Sequence, residues 1–215
     1  LYRYAYFSVI KKKDGGILDS GEISGVENTS ISASGLELDV DNRDNTFYPS
    51  KGFLIRSFSL RSHSRIYSKH KFYYWLFDAR FFQKIVTNHI LAFQYFMVLS
   101  QGDMPFQMYP RLGGGQRMRG YYLGRYSDHN YIMSQIEYRY PIYWRFSGAM
   151  FMSCGEVAPR LNDLSAEYLR YSAGSGVRFA MNSKRKIHLR FDFGLYNFSF
   201  KEDTYGFYFS FMEAF

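Results

Sequence analysis

Residues 186–195 alternate without a break. Ile187, Leu189, Phe191, Phe193 and Leu195 take one set of alternate positions, and Lys186, His188, Arg190, Asp192 and Gly194 take the other. A period of two belongs to an extended strand, whose successive side chains point to opposite faces, and a helix cannot satisfy it. The pattern recurs along the chain. Leu36, Leu38 and Val40 alternate with Glu37, Asp39 and Asp41; Tyr73, Trp75, Phe77, Ala79 and Phe81 alternate with a row containing Asp78 and Arg80. Leu91, Phe93, Tyr95, Met97 and Leu99 stand at every second position, as do Ile132, Ser134, Ile136, Tyr138, Tyr140 and Ile142. Leu169, Tyr171, Ala173, Val177 and Phe179 are set against Arg170, Gly174, Gly176 and Arg178. Such a chain builds an antiparallel sheet with one apolar and one charged face.

Length decides which side meets water. Strands are predicted near 1–12, 34–45, 52–66, 70–86, 88–101, 130–142, 144–157, 168–182, 185–198 and 204–215. They are longer than the roughly five to six residues of an average soluble strand and match the roughly nine to eleven that span a bilayer. Breaks fall at Lys13-Asp14-Gly15-Gly16, Tyr48-Pro49-Ser50-Lys51-Gly52, Asn182-Ser183-Lys184 and Lys201-Glu202-Asp203. Aromatic residues make up 21% of the chain, with 21 Tyr and 22 Phe, while the mean hydropathy is only −0.32. No run approaches the length of a membrane helix. A sheet with lipid outside and a polar lumen inside accounts for both numbers, because apolar and polar residues then alternate and aromatic girdles mark both interfaces. The predicted fold is all-β: an antiparallel transmembrane β-barrel domain over residues 1–215, with about ten strands. The chain opens Leu1-Tyr2-Arg3-Tyr4 without a signal peptide or initiator methionine, so either an export signal has been removed or this is the C-terminal piece of something longer.

Other chemistries find little support. The net charge of +8 suits nucleic acid, anionic headgroups or a basic lumen equally. The basic runs Lys11-Lys12-Lys13 and Lys184-Arg185-Lys186 lie beside strand ends, where headgroups or solvent are the expected neighbours, so no nucleic-acid partner is predicted. The single cysteine, Cys154, excludes an intrachain disulfide framework and a cysteine zinc site. His63, His70, His89, His129 and His188 have no metal-ligand spacing, no serine sits in a nucleophile elbow, and Gly113-Gly114-Gly115 lacks the lysine and helix of a phosphate loop. No enzyme, metal or cofactor is predicted.

The segment 102–129 differs from the strands around it. It carries Leu112-Gly113-Gly114-Gly115-Gln116-Arg117-Met118-Arg119-Gly120-Tyr121, polar and glycine-rich between two apolar-patterned strands. An arginine at a tight turn inside a lumen needs a carboxylate, because an unpaired buried guanidinium is costly. Glu137 lies on the charged face of the next strand, and an Arg119–Glu137 ion pair is predicted. The C-terminal run places Tyr205, Phe207, Phe209, Phe211 and Phe215 on one face, read as lipid-facing, with Gly206 as a point of weak pairing or a kink.

Taken in order, these motifs resemble the bacterial surface antigen family, the outer-membrane assembly and translocation barrels of the BamA/TamA type. Asp41-Asn42-Arg43-Asp44-Asn45 with Pro49 and Gly52 resembles the family's strand-end turn. Met118-Arg119-Gly120-Tyr121 resembles the tip of its lumen-entering loop, and Glu137-Tyr138-Arg139-Tyr140-Pro141 the strand that follows. Arg190-Phe191-Asp192-Phe193-Gly194 and the closing Glu213-Ala214-Phe215 complete the order; Gly206, Phe209, Phe211 and Phe215 resemble the C-terminal sorting signal. Where many members carry Phe-x-Asp-x-Gly, this chain has Phe151-Met152-Ser153-Cys154-Gly155, so a second carboxylate for Arg119 is expected to be missing and the loop to be held less tightly. The resemblance implies a barrel of about sixteen strands, of which this chain would supply the C-terminal part. It also implies a bacterial outer-membrane location and insertion of barrel proteins or passage of polypeptides across that membrane. The implied partners are the lipid bilayer, client outer-membrane proteins or secreted polypeptides, accessory lipoproteins and a second copy of the chain. Two other readings stay open: a passive pore or membrane anchor for a soluble domain, and an outer-membrane lipase.

Overall fold

The computed structural model describes residues 1–11, 15, 16, 18, 23–63, 68–182, 186–196 and 204–215. Ten strands form one antiparallel sheet: β1 (Tyr2–Phe7), β2 (Thr29–Asp41), β3 (Gly52–Ser62), β4 (Phe72–Val86), β5 (His89–Gly102), β8 (Asn130–Tyr143), β9 (Phe146–Ala158), β10 (Arg170–Asn182), β11 (Ile187–Tyr196) and β12 (Tyr205–Phe211). Two short strands inside the long loop, β6 (Arg111–Leu112) and β7 (Tyr126–Ser127), pair with each other. In the large sheet each strand pairs with its neighbour in sequence, and β5 pairs with β8 across the loop. The sheet is open: among the described residues β1 and β12 each have a single partner strand.

From β3 onward the strands fall close to their expected positions. At the start they differ. β1 ends at Phe7, and β2 begins at Thr29 rather than near 34, because Thr29–Ser34 pairs with β1 although its small polar residues carry no aromatic alternation. The expected breaks at Lys13-Asp14, Ser183-Lys184 and Lys201-Glu202-Asp203, and the basic residues Lys12, Lys13, Lys184 and Arg185, lie outside the described residues.

The two faces separate as the alternation requires. On β11, His188, Arg190 and Asp192 are buried while Phe191 between them is 54% exposed. Phe207, Phe209 and Phe211 on β12 and Met150 and Met152 on β9 are likewise exposed on the outer face. Rows of exposed rings pair across strands: Phe191 stands opposite Phe209 and Phe193 opposite Phe207, with ring centroids 4.7 and 4.9 Å apart. β2 to β5 and β8 to β11 run from 10 to 15 residues, enough to cross the hydrocarbon core.

The sheet curls around the buried face. Phe82 of β4 meets the C-terminal Phe215 at 6.4 Å, and Tyr48 of the β2–β3 turn meets His188 of β11 at 4.4 Å, so strands distant in the sheet order come together at one end. That end has short connections, 87–88 and 144–145; the opposite end has the long ones, 103–129 and 159–169. In outer-membrane barrels the short turns are periplasmic and the long loops extracellular.

Candidate functional site

The loop between β5 and β8 folds inward and fills the concave face. Leu112, Met118 and Tyr121 pack with Phe96, Val98, Tyr131, Met133 and Tyr196 in one buried cluster. Tyr121 stacks on Tyr196 with centroids 4.2 Å apart, and its hydroxyl donates to the Tyr171 carbonyl at 3.3 Å. Gln135 of β8 donates to the Gln116 carbonyl at 3.0 Å. The tip turns at Gly120, where φ is +122° and a Cβ would stand 2.7 Å from the Leu195 carbonyl carbon. Gly194 faces it from β11, and its Cβ would meet the Arg119 backbone at 2.7 Å. Loop and wall approach each other through two glycines because neither side has room for a side chain.

Arg119 is fully buried. Its Nη2 lies 2.6 Å from Glu137 Oε2, and its Nη1 donates to Asp192 Oδ2 at 2.7 Å. The guanidinium also lies over the Phe151 ring, 3.5 Å from the centroid. The expectation that a second carboxylate is missing is therefore corrected. Ser153 on β9 bonds only sideways to Ser172 at 2.6 Å, but the loop reaches past β9 and β10 to β11, where Asp192 supplies the charge. The expected consequence, a more loosely held loop, loses its basis.

Neither carboxylate serves Arg119 alone. Glu137 accepts from Arg139 Nε at 2.7 Å and from Arg178 Nη2 at 3.4 Å. Asp192 accepts from Arg178 Nη1 at 2.5 Å and lies 3.4 Å from Arg190 Nε. Glu213, beyond β12, accepts from Arg178 Nε at 3.2 Å and stands 3.7 Å from Arg139 Nε. Four arginines thus share three carboxylates, all nearly or wholly buried, from β8, β10, β11, the chain end and the loop. A charge cluster this dry holds together because every member except Arg190, which meets Asp192 alone, bridges two or more others. Arg190 also donates to the Gly115 carbonyl at 2.6 Å, giving the loop a second attachment.

β12 adds a third. The Tyr208 hydroxyl accepts from the Gly120 amide at 2.9 Å and donates to the Tyr121 carbonyl at 2.9 Å. Gly206 makes this possible: a Cβ there would lie 2.7 Å from the Tyr208 hydroxyl. Gly206 stays in regular register opposite Gly194, so its place in the structure is that of a gap for Tyr208 and not of a kink.

The remaining expected residues sit at the short-turn end. Arg43 makes a two-pronged contact with Asp41, at 2.9 and 2.7 Å. Asp44 accepts from the Ser50 amide and hydroxyl at 2.7 and 2.6 Å and from the Lys51 amide at 3.2 Å. Partial burial works to raise the Asp44 carboxyl, and these hydrogen bonds and Lys186 outweigh it, holding it down at about 2. Gly52 turns with φ +100°, where a Cβ would strike the Asn42 carbonyl at 2.5 Å. Pro49 is buried, and its carbonyl accepts from Arg139 at 3.4 Å. The strand-end turn and the central cluster are thereby joined. Phe209 and Phe211 face outward, but Phe215 does not, and its expected lipid-facing position is corrected. At Met212 the backbone turns with φ +64°, and Phe215 folds inside at 4% exposure, its carbonyl accepting from Arg139 Nη2 at 3.0 Å.

Sequence reasoning reached Arg119 and Glu137 and missed Arg139, Arg178, Tyr208 and Glu213 as loop-holding groups, along with the pairing of Asp192. A signal was present in the charged residues that interrupt the inward rows of four separate strands or strand ends. Their convergence needed the curl of the sheet.

Comparison with known proteins agrees with this geometry. The model of the Omp85 superfamily domain matches residues 3–215. Among solved structures, the crystal structure of BamA from Haemophilus ducreyi lacking POTRA domains 1-3 superposes with a TM-score of 0.72 at 12% sequence identity, over 98% of this chain and 49% of that one. The chain thus spans about half the length of that relative. A search of curated proteins gave no match. The family match covers nearly the whole chain, and the described sheet has the antiparallel architecture of the BamA barrel: the chain belongs to the Omp85 superfamily, as a β-barrel protein of the bacterial outer membrane.

Proposed function

We propose that residues 1–215 act as one barrel-forming unit that inserts barrel proteins into the outer membrane or passes polypeptides across it, with loop 102–129 as its internal lock. The observation that carries this reading is the loop itself. It is bound to β8, β11 and β12 through Arg119, Gly115 and Gly120, and so ties the closing strand of the sheet to the charge cluster. A passive pore needs an open lumen, whereas this inner face is occupied by the loop.

Strand edges supply the chemistry. In lipid each unsatisfied backbone donor or acceptor costs several kcal/mol, so an incoming unfolded strand gains by pairing with any edge that opens. The edge of β12 that has no partner strand among the described residues is such a template. Substrates on this account are client outer-membrane proteins or secreted polypeptides; accessory lipoproteins or a second copy of the chain would act on the same edges or turns. No enzymatic step, cofactor or nucleic acid enters. The lipase alternative has one arrangement to its credit: His70 Nδ1 stands 2.9 Å from Asp103 and Nε2 2.5 Å from the Thr29 hydroxyl. Thr29 is 2% exposed, its hydroxyl held against the ring, so an ester carbonyl has no path to it.

The test is reconstitution of the full-length protein in vesicles, followed by folding of an urea-denatured outer-membrane client. The proposal predicts faster client insertion than into empty vesicles and a smaller gain with Arg119→Ala. Equal rates with and without the protein, or a steady open-pore conductance from the parent chain, would refute it.

A further inference from the structure

The connection between β9 and β10 lies against the outer face of the sheet. Glu156 stands on the outward row of β9, opposite Ile132, yet is only 3% exposed because the Ser165 amide donates to it at 3.1 Å and the connection covers it. Between this connection and the upper ends of β3, β4 and β5 runs a groove of about 740 Å³. Ser59, Tyr73, Trp75 and Leu99 form its strand side; Arg160 and Leu161 form its loop side. Among the described residues no carboxylate lines it. A second arginine, Arg61, lies over the Tyr73 ring at 5.0 Å, and neither it nor Arg160 has a carboxylate partner among the described residues.

Position and chemistry together define an occupant. The groove is at the long-loop end, on the lipid side, at the level of an interfacial aromatic girdle. Its lower wall continues into the outward residues Phe77, Tyr95 and Met97, an apolar track for acyl chains. Arg160 lines it from the loop, and the Arg61 guanidinium lies over Tyr73 of its strand side; a guanidinium is the side chain best suited to the forked recognition of phosphate. The small Ser57 and Ser59 leave the space; the Trp75 indole is fixed beside it by donating to Ser57 Oγ at 2.9 Å. We propose that this groove is a docking site for a lipid whose headgroup ends in an anionic phosphate monoester, in the long-loop leaflet. Arg160 and Arg61 hold the phosphate, and Trp75, Phe77 and Met97 hold the chains. A lipid seated there would brace the β9–β10 connection against β4 and β5.

Residues 1–215 hold two tryptophans, and Trp144 is at the other end of the sheet, so Trp144→Phe, with any tryptophan outside these residues also replaced, leaves Trp75 as a reporter of the groove. The full-length protein would be placed in phosphatidylcholine nanodiscs holding one copy each, with a minor fraction of brominated phosphatidic acid or, separately, of brominated phosphatidylcholine. The proposal predicts several-fold stronger quenching of Trp75 by the phosphatidic acid. That preference should fall to parity in Arg61→Ala/Arg160→Ala and persist in part in Arg160→Lys, while Trp144 in a Trp75→Phe chain shows none. Equal quenching by both lipids in the parent, or a preference that survives removal of both arginines, would overturn it. So would a Trp75 signal that responds only when discs hold two copies, which would assign the groove to a protein neighbour. Unchanged gel mobility of the unboiled variants verifies that the barrel is folded.

Discussion

Removing Arg119 and removing Glu137 should not be equivalent, although the two form one ion pair. Arg119→Ala leaves three arginines, Arg139, Arg178 and Arg190, around the three carboxylates Glu137, Asp192 and Glu213, and Glu137 keeps Arg139 at 2.7 Å and Arg178 at 3.4 Å. Glu137→Ala leaves four arginines around two carboxylates and strips a partner from Arg119, Arg139 and Arg178 at once. Breaking a buried pair costs about 3–5 kcal/mol, and the count of orphaned charges puts Arg119→Ala at the lower end and Glu137→Ala at the upper. The double variant leaves three arginines and two carboxylates, one uncompensated charge fewer than Glu137→Ala alone. Its cost should fall short of the sum by about 1–3 kcal/mol. Chymotrypsin cleavage after Tyr121 reads this directly, because that side chain is buried in the closed loop and unchanged in all four chains. With loop closing faster than cleavage, the rate follows the open population, and about 3 kcal/mol corresponds to more than a hundredfold faster cutting. A larger effect for Arg119→Ala than for Glu137→Ala, or strict additivity, would refute the shared-cluster reasoning.

Further outcomes follow from single positions. Phe191→Arg on the outer face should destabilise the barrel by about 2–4 kcal/mol if it sits at mid-membrane, seen as a lower urea midpoint in vesicles. An unchanged midpoint would mean that this row does not face lipid. Gly120→Ala, forced to φ +122° against the Leu195 backbone, should expose the buried Tyr121 to chymotrypsin at a cost of about 1–3 kcal/mol, without changing strand content by circular dichroism. Asp44, held at about 2 in the folded protein, contributes stability that is complete above the ordinary carboxylate range and is lost as pH falls through about 2. Asp44→Asn should accordingly lower the melting temperature at pH 6, by an amount that shrinks steadily below about pH 4 and vanishes only below about 2; a gap that stays constant from pH 6 to pH 2 would contradict this.

The sheet was readable because lipid on one side and charge on the other impose a period of two that survives in the residues themselves. Ile187 to Leu195 gives its faces without any structure, and so does Tyr73 to Phe81. The start of β2 was missed, since its alternation, Ser30, Ser32 and Ser34 against Ile31 and Ala33, uses small residues and puts its apolar row inside, opposite to Leu36, Leu38 and Val40. Arg119 announced a need for negative charge, but the carboxylate on the charged face of the next strand, Glu137, is only half of the answer. Asp192 is brought in by the reach of the loop across β9 and β10, a distance that sequence spacing does not encode. Phe215 follows the outward parity of β12 in sequence and breaks it in space, because one left-handed residue, Met212, is enough to reverse a chain end.

The central claim is that the free edge of β12 receives client strands, and site-specific disulfide trapping tests it most directly. Ser210, in register with Arg190 on the edge strand, would be replaced by cysteine in a Cys154→Ser chain, and single cysteines would be walked along the terminal strand of a client stalled during insertion. The account predicts a cross-link confined to the client position that lies opposite residue 210 in one register, abolished when the unpaired edge of β12 is tethered to the strand that closes the barrel against it. Cross-links spread evenly over all client positions, or none while insertion proceeds at the parent rate, would contradict it.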